Sequence, residues 1–328
     1  MQNTYRVALV IGITGSIGKE VAAALMGHGW QVRALHRNPA AASGSVSLPK
    51  TVQWVSGDAM QMNDVIEAAR GASLIVHAAN PPKYRNWRGL ALPMLDNSIA
   101  AAKFCNARIL LPATIYNFGP GNNLLREDSP QIPSTRKGQV RVEMELRLQR
   151  ASMYGVRSIV VRSGDFFGSG AGNSWLTQGI VISRPRMVFN PGSPGIGHSW
   201  AYLPDLAEAM ARLVDSERPM SGYEVFHFRG HWFERGERLL ELVCRSQGMN
   251  ARRIKAFPWW AITLAAPFVD VCREMQEMRY LWQVPTQLDN AKLCAQIGPE
   301  PHTPIEAALD ATLGGARRET DIESRIPA

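Results

Sequence analysis

The segment that decides the fold is Gly12-Ile13-Thr14-Gly15-Ser16-Ile17-Gly18, which follows the apolar run Arg6-Val-Ala-Leu-Val-Ile11 and opens a helical pattern ending near His28. Its three glycines are spaced G-x-x-G-x-x-G. Positions without side chains let the backbone turn tightly and let the helix pack on the strand. The free N–H groups and the positive dipole end of a helix N-terminus attract anions. The segment therefore predicts a strand–turn–helix unit that holds a pyrophosphate.

Short β-branched runs alternate with helical patterns after this turn. The sequence predicts strands at 31–35, 52–56, 73–77, 108–111, 156–161 and 223–228, and helices at 63–70, 90–107, 135–153 and 204–214. Alternation of this kind is typical of βαβ units in a parallel sheet. The predicted fold class is α/β, a Rossmann-type doubly wound parallel sheet with a smaller C-terminal substrate-binding region.

The periodicity of the second half of the chain is less regular than that of the first, and this difference suggests the domain boundaries. Residues 174–198 are poorly periodic and rich in Gly and Pro, as loops are. The predicted organisation is a dinucleotide-binding Rossmann domain (1–170), a substrate-facing insertion (171–198), a return to the Rossmann domain (199–229), a C-terminal substrate-binding region (230–314) and a polar tail (315–328).

Composition limits the class of partner. The 328 residues are 45% hydrophobic and carry a formal net charge of +8, but the basic residues are scattered. A nucleic-acid stripe is not evident, so no nucleic-acid partner is predicted; dinucleotide phosphates suffice as anionic partners, and a solubilising surface charge is the alternative. The N-terminus lacks the features of a secretory signal, which favours a cytoplasmic protein.

The four cysteines, Cys105, Cys244, Cys272 and Cys294, lie far apart without a C-x-x-C pair. This spacing suggests neither a disulfide framework nor a metal site, and we expect reduced thiols that act as small buried hydrophobes.

The most membrane-like stretch runs from Phe257 to Asp270. It is interrupted by proline and too short to span a bilayer as a helix. The sequence favours a buried helix over the alternative, an interfacial amphipathic anchor, because a large apolar face more often meets a core. No membrane partner is predicted.

The end of the second predicted strand bears on the cofactor. An NAD site usually has a carboxylate there, about twenty residues after the glycines, to hold the ribose hydroxyls. This chain has Leu35-His36-Arg37-Asn38 instead. Arg37 is available for a 2′-phosphate, so NADP(H) is favoured over NAD(H); a solvated surface role for Arg37 is the alternative.

Four motifs in order resemble the extended short-chain dehydrogenase/reductase superfamily, and more narrowly its NAD-dependent epimerase/dehydratase family. They are the glycine turn, Gly57-Asp58, His77-Ala78-Ala79-Asn80 and Ala201-Tyr-Leu-Pro-Asp205-Leu-Ala207, and the resemblance covers roughly residues 5 to 230. It implies that Asp58 hydrogen-bonds the adenine and that Ala78 and Ala79 let the chain pass close to the cofactor. A turn-forming carboxylate is the alternative for Asp58. The predicted cofactor-binding residues are Gly12, Thr14, Gly15, Ser16, Ile17, Gly18, Arg37, Asp58, Ala78, Ala79 and Arg141.

The same resemblance implies a catalytic Ser or Thr after the fifth strand and a Tyr-x-x-x-Lys on the next helix. Pro112-Ala-Thr-Ile-Tyr-Asn-Phe-Gly119 matches the first segment and makes Thr114 the hydroxyl, with a turn-satisfying role as its alternative. The helical segment from Pro133 to Glu145 contains no tyrosine. When the family's motif is aligned on Glu145, its Tyr falls on Lys137 and its Lys on Arg141. An arginine at this position is able to hold a ribose or a phosphate, but it cannot relay a proton as a Lys-tuned Tyr does.

Three hypotheses follow for the missing phenol: Tyr116 supplies it, Lys137 acts as the acid/base, or the protein binds NADP(H) without turning it over. The resemblance implies hydride transfer between the nicotinamide and a carbinol or carbonyl carbon, with nucleotide-sugars the family's commonest substrates. Reduction of a small aldehyde or ketone is the alternative enzyme activity, and a non-catalytic sensor or assembly protein is the other alternative.

A homodimer through two helices flanking the sheet is usual for the resembled family. Candidate pocket residues are Arg184, His198 and Trp200.

Overall fold

The structure, a computed structural model, describes residues 6–81, 86–121, 123–171, 174–182 and 187–323, without the side chains of 178, 182 and 315–323. The first half alternates strands and helices: β1 (Val7–Ile11), α1 (Ser16–Gly27), β2 (Gln31–His36), α2 (Pro39–Ser45), β3 (Gln53–Ser56), α3 (Met62–Ala69), β4 (Leu74–His77), α4 (Trp87–Cys105), β5 (Arg108–Thr114), β6 (Leu124–Leu125), α5 (Arg136–Ser152) and β7 (Arg157–Ser163).

The second half has shorter elements: β8 (Asp165–Phe167), β9 (Val181–Ile182), β10 (Met187–Asn190), β11 (His198–Tyr202), α6 (Leu203–Asp215), β12 (Tyr223–Phe228), β13 (His231–Phe233), α7 (Glu237–Ser246), β14 (Ile254–Ala256), α8 (Trp259–Ala265), α9 (Asp270–Glu277), β15 (Gln287–Leu288), α10 (Ala291–Ile297) and α11 (Ile305–Glu323). A π-helical turn spans Trp175–Ile180 in the poorly periodic segment.

Seven strands form the central sheet, in the order β12-β7-β5-β4-β1-β2-β3, and every neighbouring pair is parallel. The predicted Rossmann-type α/β fold is therefore confirmed. Ile11, at the end of β1, lies opposite both Leu35 of β2 and His77 of β4. The strand order reverses at this point, and open α/β sheets bind ligands in the crevice outside such a reversal.

Helices cover both faces of the sheet and bury its apolar side chains. On one face, α1 and α6 contribute Val21, Leu25 and Met210 to a core with the sheet. On the other face, α3, α4 and α5 contribute apolar residues such as Val65 and Met144. These two clusters bury both faces of the central sheet.

The C-terminal region has its own core and is attached to the sheet beside β5. Its core includes Leu239, Leu240 and Leu309. Attachment comes from the short parallel pair of β15 with β6, in which Leu288 lies opposite Leu125, and both side chains are buried. The C-terminal region thus packs next to the carboxyl end of β5.

The structure differs from the sequence predictions in three places. The predicted buried helix at 257–270 is wrong: α8 has no buried residue, and Trp260 and Phe268 are largely exposed. Helix α11 continues to Glu323, through most of the predicted polar tail. Of the cysteines, only Cys244 is buried; the other three are half-buried thiols.

Across the described ranges, no helix combines the length and the apolar character that a membrane crossing requires.

Candidate functional site

The glycine turn after β1 leaves no room for side chains. Gly12 has a φ of +92°, and a Cβ there would lie 2.6 Å from the backbone carbonyl carbon of Ala78. A Cβ at Gly18 would lie 2.2 Å from the carbonyl oxygen of Gly12. Contacts this short require glycine at both positions. The turn therefore brings the backbone of β1, β4 and α1 together at the end of the sheet.

The N-terminus of α1 suits an anion. Its N-cap is Gly15, no side chain caps it, and its first turn has no acidic residue. The hydroxyl of Ser16 donates a hydrogen bond to the carbonyl of Gly170, at 3.0 Å, which ties the loop after β8 to this helix end. Uncapped N–H groups and the helix dipole together favour a phosphate here.

A groove of about 760 Å³ runs over the carboxyl ends of β1, β2, β3 and β4. Small-molecule sites commonly occupy about 300–1,000 Å³, so the groove has the size of a dinucleotide site. The predicted cofactor residues that line it are Gly12, Thr14, Gly15, Ser16, Ile17, Arg37, Asp58, Ala78 and Ala79. Gly18 lies against the carbonyl of Gly12 inside the turn. Arg141 contacts Asn80, which lines the groove.

Arg37 and Asp58 stand at the β2 and β3 end of the groove. Arg37 is exposed, and its guanidinium makes no hydrogen bond or ion pair to any residue that the structure describes. The Oδ1 atom of Asp58 accepts a hydrogen bond from the backbone N–H of Met60, at 3.0 Å. Asp58 therefore both forms the turn and faces the groove, so the two interpretations of this residue are compatible.

Arg141 is buried on α5 and reaches the groove through a neighbour. Its Nη2 donates to Oδ1 of Asn80, at 3.1 Å, and its guanidinium carbon lies 4.9 Å from the centre of the Trp87 ring. Asn80 lines the groove. Asn80 belongs to the sequence motif that follows β4. Nothing in the sequence around Trp87 indicated that it contacts Arg141.

His77, next to Ala78, is held neutral. Burial, together with the positive charge of Arg141, lowers the pKa of His77 to about 3. Its Nδ1 lies 2.8 Å from the Ser98 hydroxyl, which itself donates to the carbonyl of Met94. The Nδ1 atom of the neutral ring therefore carries its single proton. His77 positions the end of β4 and does not become a charged imidazolium at neutral pH.

Thr114 and Tyr116 lie at the end of β5, next to the first turn of α5. The Tyr116 N–H donates to the Thr114 hydroxyl oxygen, at 3.4 Å, which is the turn-satisfying role considered for Thr114. A Cβ on Gly138 would lie 2.2 Å from the carbonyl oxygen of Tyr116. The Tyr116 side chain packs against the cluster that joins the C-terminal region to the sheet.

Lys137 lies beside them on α5, and its side chain is only 7% exposed. Its ammonium lies 2.7 Å from Oε2 of Glu274, and its backbone N–H donates to Oε1 of Glu277, at 3.1 Å. Both glutamates belong to α9. Sequence analysis missed them because they are far from Lys137 in sequence and no local motif marks them.

A fully buried ion pair anchors the middle of α5 to the sheet. Arg162 of β7 donates twice to Glu145, at 3.0 and 2.6 Å, and the Tyr223 hydroxyl donates to the same carboxylate at 3.2 Å. Burial and the adjacent Glu145 raise the pKa of Tyr223 far above its usual range. Burial and Arg162 lower the pKa of His227 to about 3. Because the Arg162–Glu145 pair is buried, it fixes α5 relative to the sheet.

The pocket residues predicted from 174–200 do not surround a substrate-sized space. His198 Nε2 donates to Asp165 at 2.8 Å and its ring stacks on Trp282, 4.0 Å between centres. His198 and Trp200 line a cavity of only about 10 Å³, which is space for about one water molecule. Arg184 lies outside the described residues.

The seven-stranded parallel sheet with helices on both faces defines the class of fold: a Rossmann-type α/β protein. Residues 12–125 match the family model described as NAD(P)H-binding. No curated protein matches the sequence.

Solved structures share the fold over nearly the whole chain. UDP-glucuronic acid 4-epimerase from Bacillus cereus, in complex with NAD, has a TM-score of 0.76 at 14% identity, covering 96% of this chain and 98% of that one. The dTDP-glucose 4,6-dehydratase DesIV from Streptomyces venezuelae has a TM-score of 0.75 at 16% identity, with coverages of 96% and 98%. UDP-N-acetylglucosamine 4-epimerase from Methanobrevibacter ruminantium M1 has a TM-score of 0.75 at 14% identity, with coverages of 96% and 99%. These epimerases and this dehydratase therefore have the same fold as this chain, which is the fold that the resemblance implied.

Proposed function

We propose that this protein binds NADP(H) in the groove and transfers a hydride between the nicotinamide and a carbinol or carbonyl carbon of a polar substrate. The observation that carries the proposal is one continuous groove lined by the glycine turn, Arg37, Asp58 and the Ala78-Ala79 pair. The groove has a helix N-terminus for the pyrophosphate and a cation for a 2′-phosphate. The nicotinamide supplies the hydride acceptor or donor when bound.

Tyr116 is our first candidate for the proton transfer that accompanies the hydride. Its backbone packs against the first turn of α5, beside the position that the missing tyrosine occupies in the resembled family. Thr114, at the end of β5, is our candidate for holding the substrate oxygen. Arg141 supports the groove through Asn80. Lys137 ranks second as a proton donor because its ammonium is engaged by Glu274.

Nucleotide-sugars are the substrate class we propose, with a homodimer as the assembly. The support for the substrate is the fold shared with the epimerases and the dehydratase, which are enzymes of UDP- and dTDP-sugars. The dimer is supported by exposed apolar side chains on the outer helices α4 and α5, including Phe104 and Leu146. Small aldehydes and ketones are the alternative substrates.

Fluorescence titration of the purified protein with NADPH and with NADH tests the binding step, because nine tryptophans make quenching or energy transfer observable. Tighter binding of NADPH supports the proposal. Tighter binding of NADH overturns the assignment of Arg37, and binding of neither overturns the cofactor site.

One observation favours a second function, a non-catalytic NADP(H) sensor. Thr114, Tyr116 and Lys137 do not line the groove, and Lys137 is occupied by two glutamates of α9. A panel of UDP-sugars, dTDP-sugars and small carbonyl compounds separates the two functions. An enzyme shows a substrate-dependent change in NADPH absorbance that Thr114→Ala or Tyr116→Phe abolishes. A sensor binds NADPH, shows no such change, and is indifferent to both substitutions.

A further inference from the structure

Five exposed apolar side chains, here called the apolar patch, lie on the α8–α9 hairpin: Trp260, Leu264, Phe268, Val269 and Val271. Trp260 and Leu264 are 72% and 69% exposed, and Phe268 in the turn is 88% exposed. Trp260 and Leu264 are four residues apart on one helix, so they share a face. Contiguous exposed apolar surface marks an interaction site in a folded protein.

The opposite side of the hairpin is already fixed to the protein. The Trp259 indole N–H donates to the carbonyl of Pro191, at 2.8 Å, and its ring packs on Phe257. The hydroxyl of Thr263 on α8 donates to Gln276 of α9, at 3.0 Å, which holds the two helices together. Glu274 holds α9 to Lys137. The apolar patch is therefore the outer face of a docked hairpin.

Cations precede the hairpin in the sequence. Arg252, Arg253 and Lys255, here called the basic segment, directly precede α8 and are all exposed. Within the part of the chain that the structure describes, none of their side chains forms an ion pair. The nearby Arg273 is paired with Asp270. The hairpin and the segment that precedes it thus combine exposed aromatic and aliphatic side chains with three exposed cations that form no ion pair among the described residues.

We propose that the α8–α9 hairpin docks on an anionic lipid surface, with the apolar patch at the acyl boundary and the basic segment at the headgroups. Interfacial binding strength comes from buried apolar area plus attraction to anionic lipid, and each cation near such a surface adds to it. Trp260 has the amphipathic ring that favours the interface.

A second copy of this chain fits the same face poorly. A two-fold interface uses the same surface of both partners, so an interface that includes this face brings two basic segments together. Like charges close together across an interface oppose association. The charge of the basic segment therefore favours an anionic lipid surface.

Co-sedimentation of the full chain with vesicles tests the proposal. We expect binding to phosphatidylcholine–phosphatidylglycerol vesicles, weaker binding to phosphatidylcholine alone, and release at high salt. Phe268→Asp should lower the partition coefficient at least about tenfold, since burying a Phe side chain contributes about 1.5–3 kcal/mol. Lys255→Glu should weaken binding to the mixed vesicles and leave binding to pure phosphatidylcholine unchanged.

Met153→Asp is the matched control, because Met153 is 73% exposed at the far end of α5. It should bind vesicles as the unmodified chain does. NADPH binding and far-ultraviolet circular dichroism report whether each variant is folded, and neither depends on lipid. Absence of vesicle binding overturns the proposal, as does equal loss in Met153→Asp. Sedimentation velocity adds a third contrary outcome: if Phe268→Asp dissociates an oligomer and vesicles do not bind, the patch joins copies of the chain.

Discussion

Gly12 shows how one residue type can be required by its neighbours. Its positive φ and the 2.6 Å from its Cβ position to Ala78 exclude an alanine without movement of β4. We expect Gly12→Ala to abolish NADPH binding and to lower the free energy of unfolding by about 1–3 kcal/mol, the cost of a strained backbone position. Calorimetric titration and urea unfolding measure the two effects.

Gly27→Ala is the control, since a Cβ at this helical glycine meets nothing within 4 Å. It should bind NADPH normally and gain up to about 1 kcal/mol of stability, because alanine is the better helix former. Unchanged NADPH affinity in Gly12→Ala would show that the turn does not hold the pyrophosphate.

Arg37 gives a second prediction at this scale. We expect Arg37→Ala to raise the Kd for NADPH roughly tenfold, because a hydrogen bond to a charged group contributes about 1.5–3 kcal/mol, and to leave the Kd for NADH nearly unchanged. Arg150→Ala, which removes an exposed arginine of α5, is the control for net charge. Equal weakening of both cofactors in Arg37→Ala would remove the argument for a 2′-phosphate site.

Residues with local signals were predictable from the sequence. The glycine turn, Asp58 and the Ala78-Ala79 pair follow directly from the order of motifs. Apart from Ile13 and Gly18, these residues line the groove. The partners of Lys137 were not predictable. Glu274 meets Lys137 only because the C-terminal region folds back over β5, and no spacing in the sequence encodes that return.

At the scale of elements, a charged cluster joins the end of α1 to α6. His28 Nδ1 lies 2.8 Å from Asp215 and its Nε2 lies 3.1 Å from Glu208. Arg6 and Arg212 face the same carboxylates. Burial lowers the pKa of His28, but hydrogen bonds to the two carboxylates outweigh it, so the net pKa is raised above 6.5.

The raised pKa of His28 predicts a pH dependence of stability. Its contribution is fully present below about 6.5, the ordinary value, and is lost as pH rises through the higher folded value. The difference in unfolding free energy between the unmodified chain and His28→Gln should therefore be largest at acidic pH. We expect about 1 kcal/mol or less, as for other solvent-accessible pairs. Urea unfolding across this range measures it, and a difference that grows with pH would contradict the assignment.

The sequence predicted for most elements whether they are helices or strands, but it did not always predict whether an element is buried. The strands of the central sheet and α6 follow from β-branched runs and helical spacing. The helix near Trp260 was predicted as buried because its composition is apolar. Composition reports the preference of a segment for an apolar environment and does not say whether its own chain provides one.

At the scale of the whole molecule, the Lys137–Glu274 pair bridges the Rossmann sheet and the C-terminal region. We expect Glu274→Gln to lower the free energy of unfolding by about 1–3 kcal/mol, since the buried Lys137 ammonium loses a negatively charged acceptor. Glu241→Gln, in an exposed pair with Arg238 on α7, should cost less than about 1 kcal/mol. Urea unfolding compares the two variants, and equal effects would show that the bridge contributes nothing.

The pairing of β6 with β15 bears on how the chain assembles during synthesis. Leu125 is covered only after Leu288 has been synthesised, whereas the last strand of the central sheet already ends at Phe228. Domains generally fold as units with N-terminal parts first, and long-range pairing is slow. A nascent chain therefore completes its sheet while Leu125 and Phe118 still lack their cover. In that interval a chaperone has an apolar surface to recognise, and the arrival of β15 ends the exposure.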